Sequence, residues 1–134
     1  MTVFVVSTGG TIASTADATG ALVPTLSAAD LVARSGTTRD VRTTDIANLD
    51  SSSLRLAELD HIRSLTSTLL DDDHLAGIVI THGTDSMAET ALALDLVHRD
   101  PRPVVLTGAM RPADHAHPDG PANLRGAIKA AGTR

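Results

Sequence analysis

Short runs of β-branched apolar residues alternate along the chain with longer stretches in which apolar residues recur every three or four positions. The clearest run covers residues 78–80 and leads through a polar turn into helical spacing over residues 87–97. Uninterrupted apolar runs are typical of strands buried on both faces of a sheet, and the wider spacing is typical of helices that cover such a sheet. The pattern therefore predicts a strand, a turn and a helix within residues 77–97.

The same alternation continues through the remaining chain. Further strands are predicted at residues 3–6, 41–46 and 103–107, and further helices at residues 26–34, 54–70 and from residue 121 onward. Ser27 with Asp30 matches the capping box that begins many helices, and Gly36 is typical of a helix end. Ser86 with Glu89 matches the same box. Four strands alternating with helices predict an α/β domain with a doubly wound parallel sheet and helices on both faces.

Residues 13–25 interrupt this alternation, because they follow neither the two-residue period of a strand nor the period of a helix. The segment is rich in Ala, Thr, Asp and Gly. Irregular connections of about a dozen residues are uncommon in compact domains and often have a functional role. We expect this segment to be an irregular loop, and the least ordered internal part of the chain.

Composition limits the classes of function that the chain can have. Of its 134 residues 42% are hydrophobic and only 1% aromatic, which fits one domain with an aliphatic core and leaves almost no side chain for stacking on nucleic-acid bases. The net charge of −5, with dispersed basic residues, disfavours nucleic acids and anionic membranes as partners. The chain has no cysteine, which excludes a thiolate nucleophile. With neither a signal peptide nor a membrane span in view, we expect a cytoplasmic protein.

Glycines and small hydroxyl residues follow three of the predicted strands, at residues 7–11, 81–86 and 107–112. Taken alone, each turn could simply cap a helix, since Ser, Thr and Asp are preferred at N-caps. However, the carboxyl ends of parallel strands meet at one edge of a sheet, where ligands bind in α/β proteins. Glycines also let the backbone approach a ligand closely. The three turns together therefore favour a pocket for a small polar ligand.

Two threonines in these turns, Thr11 and Thr84, are candidate nucleophiles. A threonine hydroxyl is unreactive at neutral pH unless a base removes its proton. Asp85 follows Thr84 directly, whereas Thr11 has no base beside it in sequence. The histidines and aspartates of residues 114–119 lack the fixed spacing of a metal site, so we expect an exposed loop there and predict neither a metal nor a cofactor.

Several motifs together resemble the bacterial asparaginase/glutaminase family. They are STGGTIAS at residues 7–14, THGTDSMAET at residues 81–90, TGAMRP at residues 107–112 and DGPANL at residues 119–124. Their order and spacing match the N-terminal domain of that family over residues 1–134, without its C-terminal domain. The resemblance implies a Rossmann-like or flavodoxin-like three-layer fold. It also implies an amidohydrolase that converts L-asparagine, with L-glutamine as an alternative substrate, to the acid and ammonia.

The resemblance also implies catalytic roles for three residues. Thr11 corresponds to the nucleophile that attacks the side-chain amide carbon and forms an acyl-enzyme. Thr84 and Asp85 correspond to the family's second catalytic group, in which the aspartate also binds the α-ammonium of the substrate.

Four further positions are implied to bind the substrate. Ser51 corresponds to the serine that holds the α-carboxylate, and Ser52 stands where many members have a glutamine. Ala109 corresponds to a residue whose backbone carbonyl lies near the leaving amide. Gly83 lies in the turn that carries the second threonine.

The chain departs from the family pattern at two activating groups. Family members have a tyrosine on the loop after the nucleophile, and this chain contains no tyrosine. They pair the second threonine with a lysine, but the single lysine here, Lys129, stands at a different position in the sequence. A neighbouring subunit completes the family's site, which implies a homo-oligomer. We therefore expect the isolated chain to be an impaired enzyme.

Two other functions compete with this one. A catalytically inactive domain could keep Ser51, Thr84 and Asp85 and bind amino acids. A nucleotide-binding module is suggested by Gly9 and Gly10 after the first strand, but the G-x-G-x-x-G spacing is missing, so this alternative is weak.

Overall fold

The computed structural model describes residues 1–133 and, for residues 48 and 49, the backbone alone. The strands are β1 (Thr2–Gly9), β2 (Ser14–Ala16), β3 (Leu22–Pro24), β4 (Val41–Leu49), β5 (Leu75–Thr81) and β6 (Val104–Thr107). The helices are α1 (Ala28–Ser35), α2 (Leu56–Leu69), α3 (Met87–Val97) and α4 (Gly120–Ala131), with one-turn 3-10 helices at Thr11–Ala13 and Ser51–Ser53. No helix in this described part of the chain is long and apolar enough to cross a membrane.

Four strands form a parallel sheet in the order β4-β1-β5-β6. From β1 the chain first crosses to one side, to β4, and later returns to the other side, to β5. The sheet is therefore doubly wound, and the point at which the winding direction changes lies between β1 and β5. This confirms the predicted α/β class and its parallel sheet.

The core has two halves, one on each face of the sheet. In β1, Val3 and Val5 pack with α1 and α4 on one face, while Phe4 and Val6 pack with α2 and α3 on the other. All seven residues of β5 are buried, which explains its uninterrupted apolar sequence. Burying an aliphatic side chain contributes about 1.5–3 kcal/mol relative to leaving it in water. The predicted three layers, with helices on both faces, are confirmed.

The predicted helix boundaries hold to within two residues, but only one of the two predicted capping boxes forms. Ser27 accepts a hydrogen bond from the Asp30 amide, Asp30 bonds back to Ser27, and α1 ends at Gly36 with φ of 65°. The box at Ser86 is a wrong prediction, because that side chain makes no capping bond to α3. Its hydroxyl instead donates to the Ser51 carbonyl oxygen at 2.7 Å.

Residues 13–25 are not the irregular loop that the sequence pattern predicts. Six of them form the antiparallel hairpin β2–β3, in which Ser14 pairs with Pro24 and Ala16 with Leu22. The turn is held by Asp17, whose carboxylate accepts hydrogen bonds from the backbone of Thr19 (2.7 Å) and of Ala21 (3.1 Å). Strands of three residues are too short to show an alternation of apolar and polar residues in the sequence. The hairpin turn is stabilised instead by local hydrogen bonds between a carboxylate and the backbone.

Two glycines offer a matched test of how tightly α4 packs on the sheet. A Cβ at Gly77 in β5 would meet the Ala131 carbonyl oxygen of α4 and would lie 2.8 Å from the Pro103 carbonyl oxygen. We expect Gly77→Ala to lower the free energy of unfolding by about 1–3 kcal/mol through overpacking. Gly126, on the exposed side of α4, has nothing within 4 Å of such a Cβ, so Gly126→Ala should raise it by about 0.5–1 kcal/mol. Urea denaturation of both variants measures the difference; equal midpoints would contradict this account of the packing.

Candidate active site

A pocket of about 330 Å³ opens at the carboxyl ends of β1 and β5, where the winding of the sheet changes direction. It is lined by Gly10, Thr11, Ser14, Leu22, Pro24, Asp50, Ser51, Gly83, Thr84 and Asp85. Crevices at this position are the usual ligand sites of doubly wound sheets. Five residues expected at a site from the sequence, namely Thr11, Ser51, Gly83, Thr84 and Asp85, are thus brought together. Carboxylates are the charged groups among these described lining residues.

The turns after β1 and β5 touch through their backbones. Gly10 has φ of 83°, in the left-handed region, and a Cβ there would lie 2.7 Å from Gly83 Cα. A Cβ at Gly83 would lie 2.6 Å from Ser51 Cβ. Real side chains do not fit at these separations, so both positions need glycine. The missing side chains allow the turns after β1, β5 and β4 to meet around one small cavity, which the predicted turn of residues 107–112 does not line.

Hydrogen bonds fix the turn that carries Thr84 against the turn that carries Ser51. The Asp85 amide donates to Ser51 Oγ at 3.2 Å, and Ser86 Oγ donates to the Ser51 carbonyl oxygen at 2.7 Å. Asp50 shapes the second turn, because its carboxylate accepts from the Ser52 amide at 3.1 Å. Ser51 is therefore fixed through two groups, its hydroxyl and its carbonyl oxygen, each of which accepts a hydrogen bond from the turn that carries Thr84.

The buried side chain of His82 stabilises the turn that carries Thr84, a role that the sequence does not reveal. Its ring is 2% exposed. Nδ1 donates to the Gly83 carbonyl oxygen at 2.7 Å, because a carbonyl can only accept, and Nε2 lies 3.0 Å from the hydroxyl of Thr90 on α3. The strand end is thereby tied to the helix that follows the turn. The only sequence signal is a histidine next to an apolar run.

The two candidate nucleophiles are open to the pocket. Thr11 begins a one-turn 3-10 helix and Thr84 lies on the turn after β5, and both line the cavity. Within residues 1–133 their hydroxyls make no hydrogen bond to another group. Both oxygens are thus available to a ligand, and neither rests against a base.

Two predicted binding residues, and the lysine, lie elsewhere. Ser52 is exposed and its amide is bonded to Asp50, and it does not line the pocket. Ala109 is 3% exposed and belongs to the core beside α4. Lys129 lies in the last turn of α4, near the amino ends of the strands and away from the pocket. The structure does not gather these three residues with the other five.

Asp119, the first residue of the DGPANL motif, holds the turn after β6, a role for its side chain that the sequence did not predict. Its carboxylate accepts from the Met110 amide (3.0 Å) and the Arg111 amide (2.9 Å), one on each oxygen. The bond from Met110, followed by that from Arg111, lowers the pKa of Asp119 to about 2. Asn123 completes the arrangement by donating to the Gly108 carbonyl oxygen at 3.0 Å. Only an acidic residue just before a helix hints at this.

The segment of residues 114–119 is hydrogen-bonded to the β2–β3 hairpin. Residues 114–117 are exposed, as expected. His115 Nδ1 accepts from the His117 amide at 3.0 Å, and the Asp114 carboxylate accepts from the Ala16 amide of the hairpin at 2.8 Å. Within residues 1–133 no group of three metal-binding side chains is arranged to hold an ion.

A larger groove, of about 660 Å³, lies between α2, α3 and β6. Some of its polar groups are already engaged, whereas within residues 1–133 the side chains of Ser67, Asp71 and Asp95 make no hydrogen bond or ion pair. Thr66 donates to the Ile62 carbonyl oxygen at 2.8 Å, and Asp100 pairs with Arg102 at 2.7 Å, which lowers the pKa of Asp100 to about 2. We favour the smaller pocket because it lies at the carboxyl ends of the strands and gathers polar side chains from the turns after β1, β4 and β5.

Comparison with known proteins gives consistent matches over nearly the whole chain. The family model described as asparaginase, N-terminal, matches residues 2–134. L-asparaginase 2 of Bacillus subtilis is 36% identical over 135 residues, which cover 96% of this chain and 36% of that protein. The glutaminase-asparaginase of Pseudomonas aeruginosa is 35% identical, with 98% of this chain and 38% of that protein covered.

Solved structures give the same result. The thermostable L-asparaginase from Thermococcus kodakarensis superposes with a TM-score of 0.86 at 39% identity, covering 98% of this chain and 40% of that one. A probable cytoplasmic L-asparaginase from Campylobacter jejuni gives 0.83 at 34% identity, covering 99% and 40%. The chain thus spans between 36 and 40% of the length of these relatives.

The anchor at Asp119 predicts an acid-sensitive contribution to stability. In Asp119→Asn an amide NH₂ would face one of the two backbone N–H donors, so we expect a loss of about 1–3 kcal/mol near neutral pH. A carboxylate whose pKa is lowered stabilises the fold above its ordinary pKa of 3.8, and this stabilisation disappears as the pH falls toward 2. Urea denaturation at several pH values should therefore show wild type and variant converging between about pH 4 and pH 2. A difference that stays constant over this range would refute the role of the carboxylate.

Proposed function

The chain belongs to the asparaginase family, whose N-terminal model it matches over residues 2–134, and on this premise we propose that its pocket binds L-asparagine and supplies the threonine that hydrolyses it. The products are L-aspartate and ammonia. The observation that carries this proposal is the meeting of Thr11, Ser51, Thr84 and Asp85 around one cavity of about 330 Å³.

The chemistry of the lining supports an amino-acid ligand. The Asp85 carboxylate offers an opposite charge to an α-ammonium group. Ser51 Oγ already accepts the Asp85 amide, so its own O–H remains able to donate to an α-carboxylate. One acidic and one donating group, held side by side, complement the two charged ends of a zwitterion.

In the proposed reaction, Thr11 Oγ1 attacks the side-chain amide carbon of the substrate. A C–O bond forms, the C–N bond breaks, and the proton lost by the Thr11 hydroxyl passes to the leaving nitrogen, which departs as ammonia. Water then hydrolyses the resulting ester, which releases L-aspartate and restores the threonine hydroxyl. Thr84 and Asp85, on the opposite turn, are proposed as the second catalytic group, with Asp85 also holding the substrate's ammonium.

The open hydroxyl of Thr11 supports the further proposal that the isolated chain is slow. No base within residues 1–133 is hydrogen-bonded to Thr11, and general-base catalysis typically contributes a factor of about 10²–10⁴ in rate. The same observation favours the second candidate function, an inactive domain that binds amino acids through Ser51 and Asp85. Relatives named as glutaminase-asparaginases make L-glutamine a further candidate substrate.

Assembly and location are also proposals. Exposed apolar side chains, with Leu22 at the pocket 49%, Leu56 at the start of α2 83% and Met110 after β6 76% exposed, support a homo-oligomer. A cytoplasmic location is supported by the relative from Campylobacter jejuni, which is described as a probable cytoplasmic L-asparaginase.

Substitutions at Thr11 test the reaction. We expect the wild-type chain to release ammonia from L-asparagine about 10²–10⁴-fold more slowly than a full-length relative. Thr11→Ser keeps a hydroxyl and should retain measurable activity, whereas Thr11→Ala should fall to the uncatalysed background. If all three chains give only background rates, the binding-domain alternative is supported. If Thr11→Ala is as active as wild type, Thr11 is not the nucleophile.

Substitution of Asp85 tests the ligand class separately from the reaction. Removing a charged hydrogen-bond partner typically costs about 1.5–3 kcal/mol, so Asp85→Asn should weaken L-aspartate binding by roughly tenfold or more in calorimetric titration. Asp95→Asn, on the exposed side of α3 and outside the pocket lining, is the matched control and should bind like wild type. Equal losses in both variants would rule out a direct contact between Asp85 and the ligand.

A further inference from the structure

The two faces of the β2–β3 hairpin are different. Strand alternation and pairing place Ser14, Ala16, Leu22 and Pro24 on one face, and Thr15 and Val23 on the other. Three of the four residues on the first face, Ser14, Leu22 and Pro24, line the pocket, whereas neither residue of the second face does. One face of the hairpin is therefore a wall of the cavity.

This wall is the apolar side of the pocket. Glycines apart, the other described lining residues carry hydroxyls or carboxylates, and only Leu22 and Pro24 contribute aliphatic surface. Leu22 is 49% exposed, so part of its surface is still in contact with water when the pocket is open. A ligand whose carbon atoms cover Leu22 would remove that surface from water, which favours binding.

Hydrogen bonds from a separate segment of the chain hold the hairpin beside the pocket. The free edge of β2 is bonded to the segment after β6, since the Ala16 amide donates to Asp114 Oδ2 at 2.8 Å and the Ala113 amide donates to the Ser14 carbonyl oxygen at 2.9 Å. Ala16 is the residue that pairs directly with Leu22. The Asp114 carboxylate is thus connected to Leu22 through a single strand pair.

We propose that Leu22 is a specificity-determining residue, held over the pocket by the bond between Asp114 and the Ala16 amide, and that it contacts the carbon chain between the two polar ends of a bound amino acid. The ligand class rests on the function proposed above. Leu22 contributes the apolar contact, and Asp114 is a positioning residue that acts through it. The segment of residues 114–119 thereby has a role other than metal binding.

The first experiment compares two substitutions on one strand. Leu22→Ala removes three carbons from the pocket face and should raise the dissociation constant for L-aspartate about tenfold in calorimetric titration. Val23→Ala makes a similar truncation on the opposite face and should change it less than about twofold. Equal constants for these two variants would overturn the proposal.

The second experiment tests the tie through Asp114. Asp114→Ala removes the acceptor and should raise the dissociation constant by about threefold to tenfold, while Asp114→Asn keeps an acceptor oxygen and should stay close to wild type. In the double variant with Leu22→Ala, loss of Asp114 should have no additional effect, because its action passes through the missing side chain. Additive effects would overturn the positioning role.

Amide hydrogen exchange supplies a readout that needs no ligand. Asp114→Ala should speed exchange at the Ala16 amide, leaving that of Val79 in β5 unchanged as a measure of intact folding. Unchanged exchange at Ala16 would overturn the tie. If the wild-type chain itself fails to bind L-aspartate, the proposed function fails as well; if wild type binds and the Leu22 variant binds equally well, only the present inference fails.

Discussion

The backbone contact between Gly10 and Gly83 is the constraint on which the site depends. The order of the parallel strands puts the ends of β1 and β5 side by side, and the hydroxyl of Thr8 ties the two strands by donating to the Thr81 carbonyl oxygen at 2.9 Å. Only glycine at both positions lets the two turns close to contact distance. Thr11 and Thr84 face one cavity because of this contact.

One side of the pocket is built on the buried sheet, and the other is built from the exposed hairpin. The first side grows out of β5, where every residue is buried, and is braced by the buried ring of His82. The other side is the hairpin, which is held mainly by exposed hydrogen bonds such as those of Asp17 and Asp114. Local opening is easiest where few apolar contacts and many solvent-exposed bonds hold the backbone. An opening of the hairpin would therefore disturb the sheet little.

The sequence was sufficient for the parts of the fold that are determined locally. The buried run of β5, the cap at Ser27 and the polar strand ends are visible as patterns, and so is the meeting of the turns at one sheet edge. Interactions between distant residues were not visible. Ser86 bonds to Ser51 rather than capping α3, Asp119 binds the amides of a preceding turn, and Asp114 accepts from the Ala16 amide of the hairpin. Each of these side chains had a plausible local role, and a tertiary partner replaced it.

The charge of the pocket has a consequence for turnover. The lining contains Asp50 and Asp85, and carboxylates are its charged groups among the described residues. In the proposed hydrolysis a substrate with no net charge becomes an anion while it is still bound. Two like charges about 4 Å apart repel by roughly 1 kcal/mol even at the dielectric constant of water, and by more inside a protein. On that proposal the carboxylates of the lining would hold the product less tightly than the substrate it came from, and would help to keep accumulated product from occupying the site.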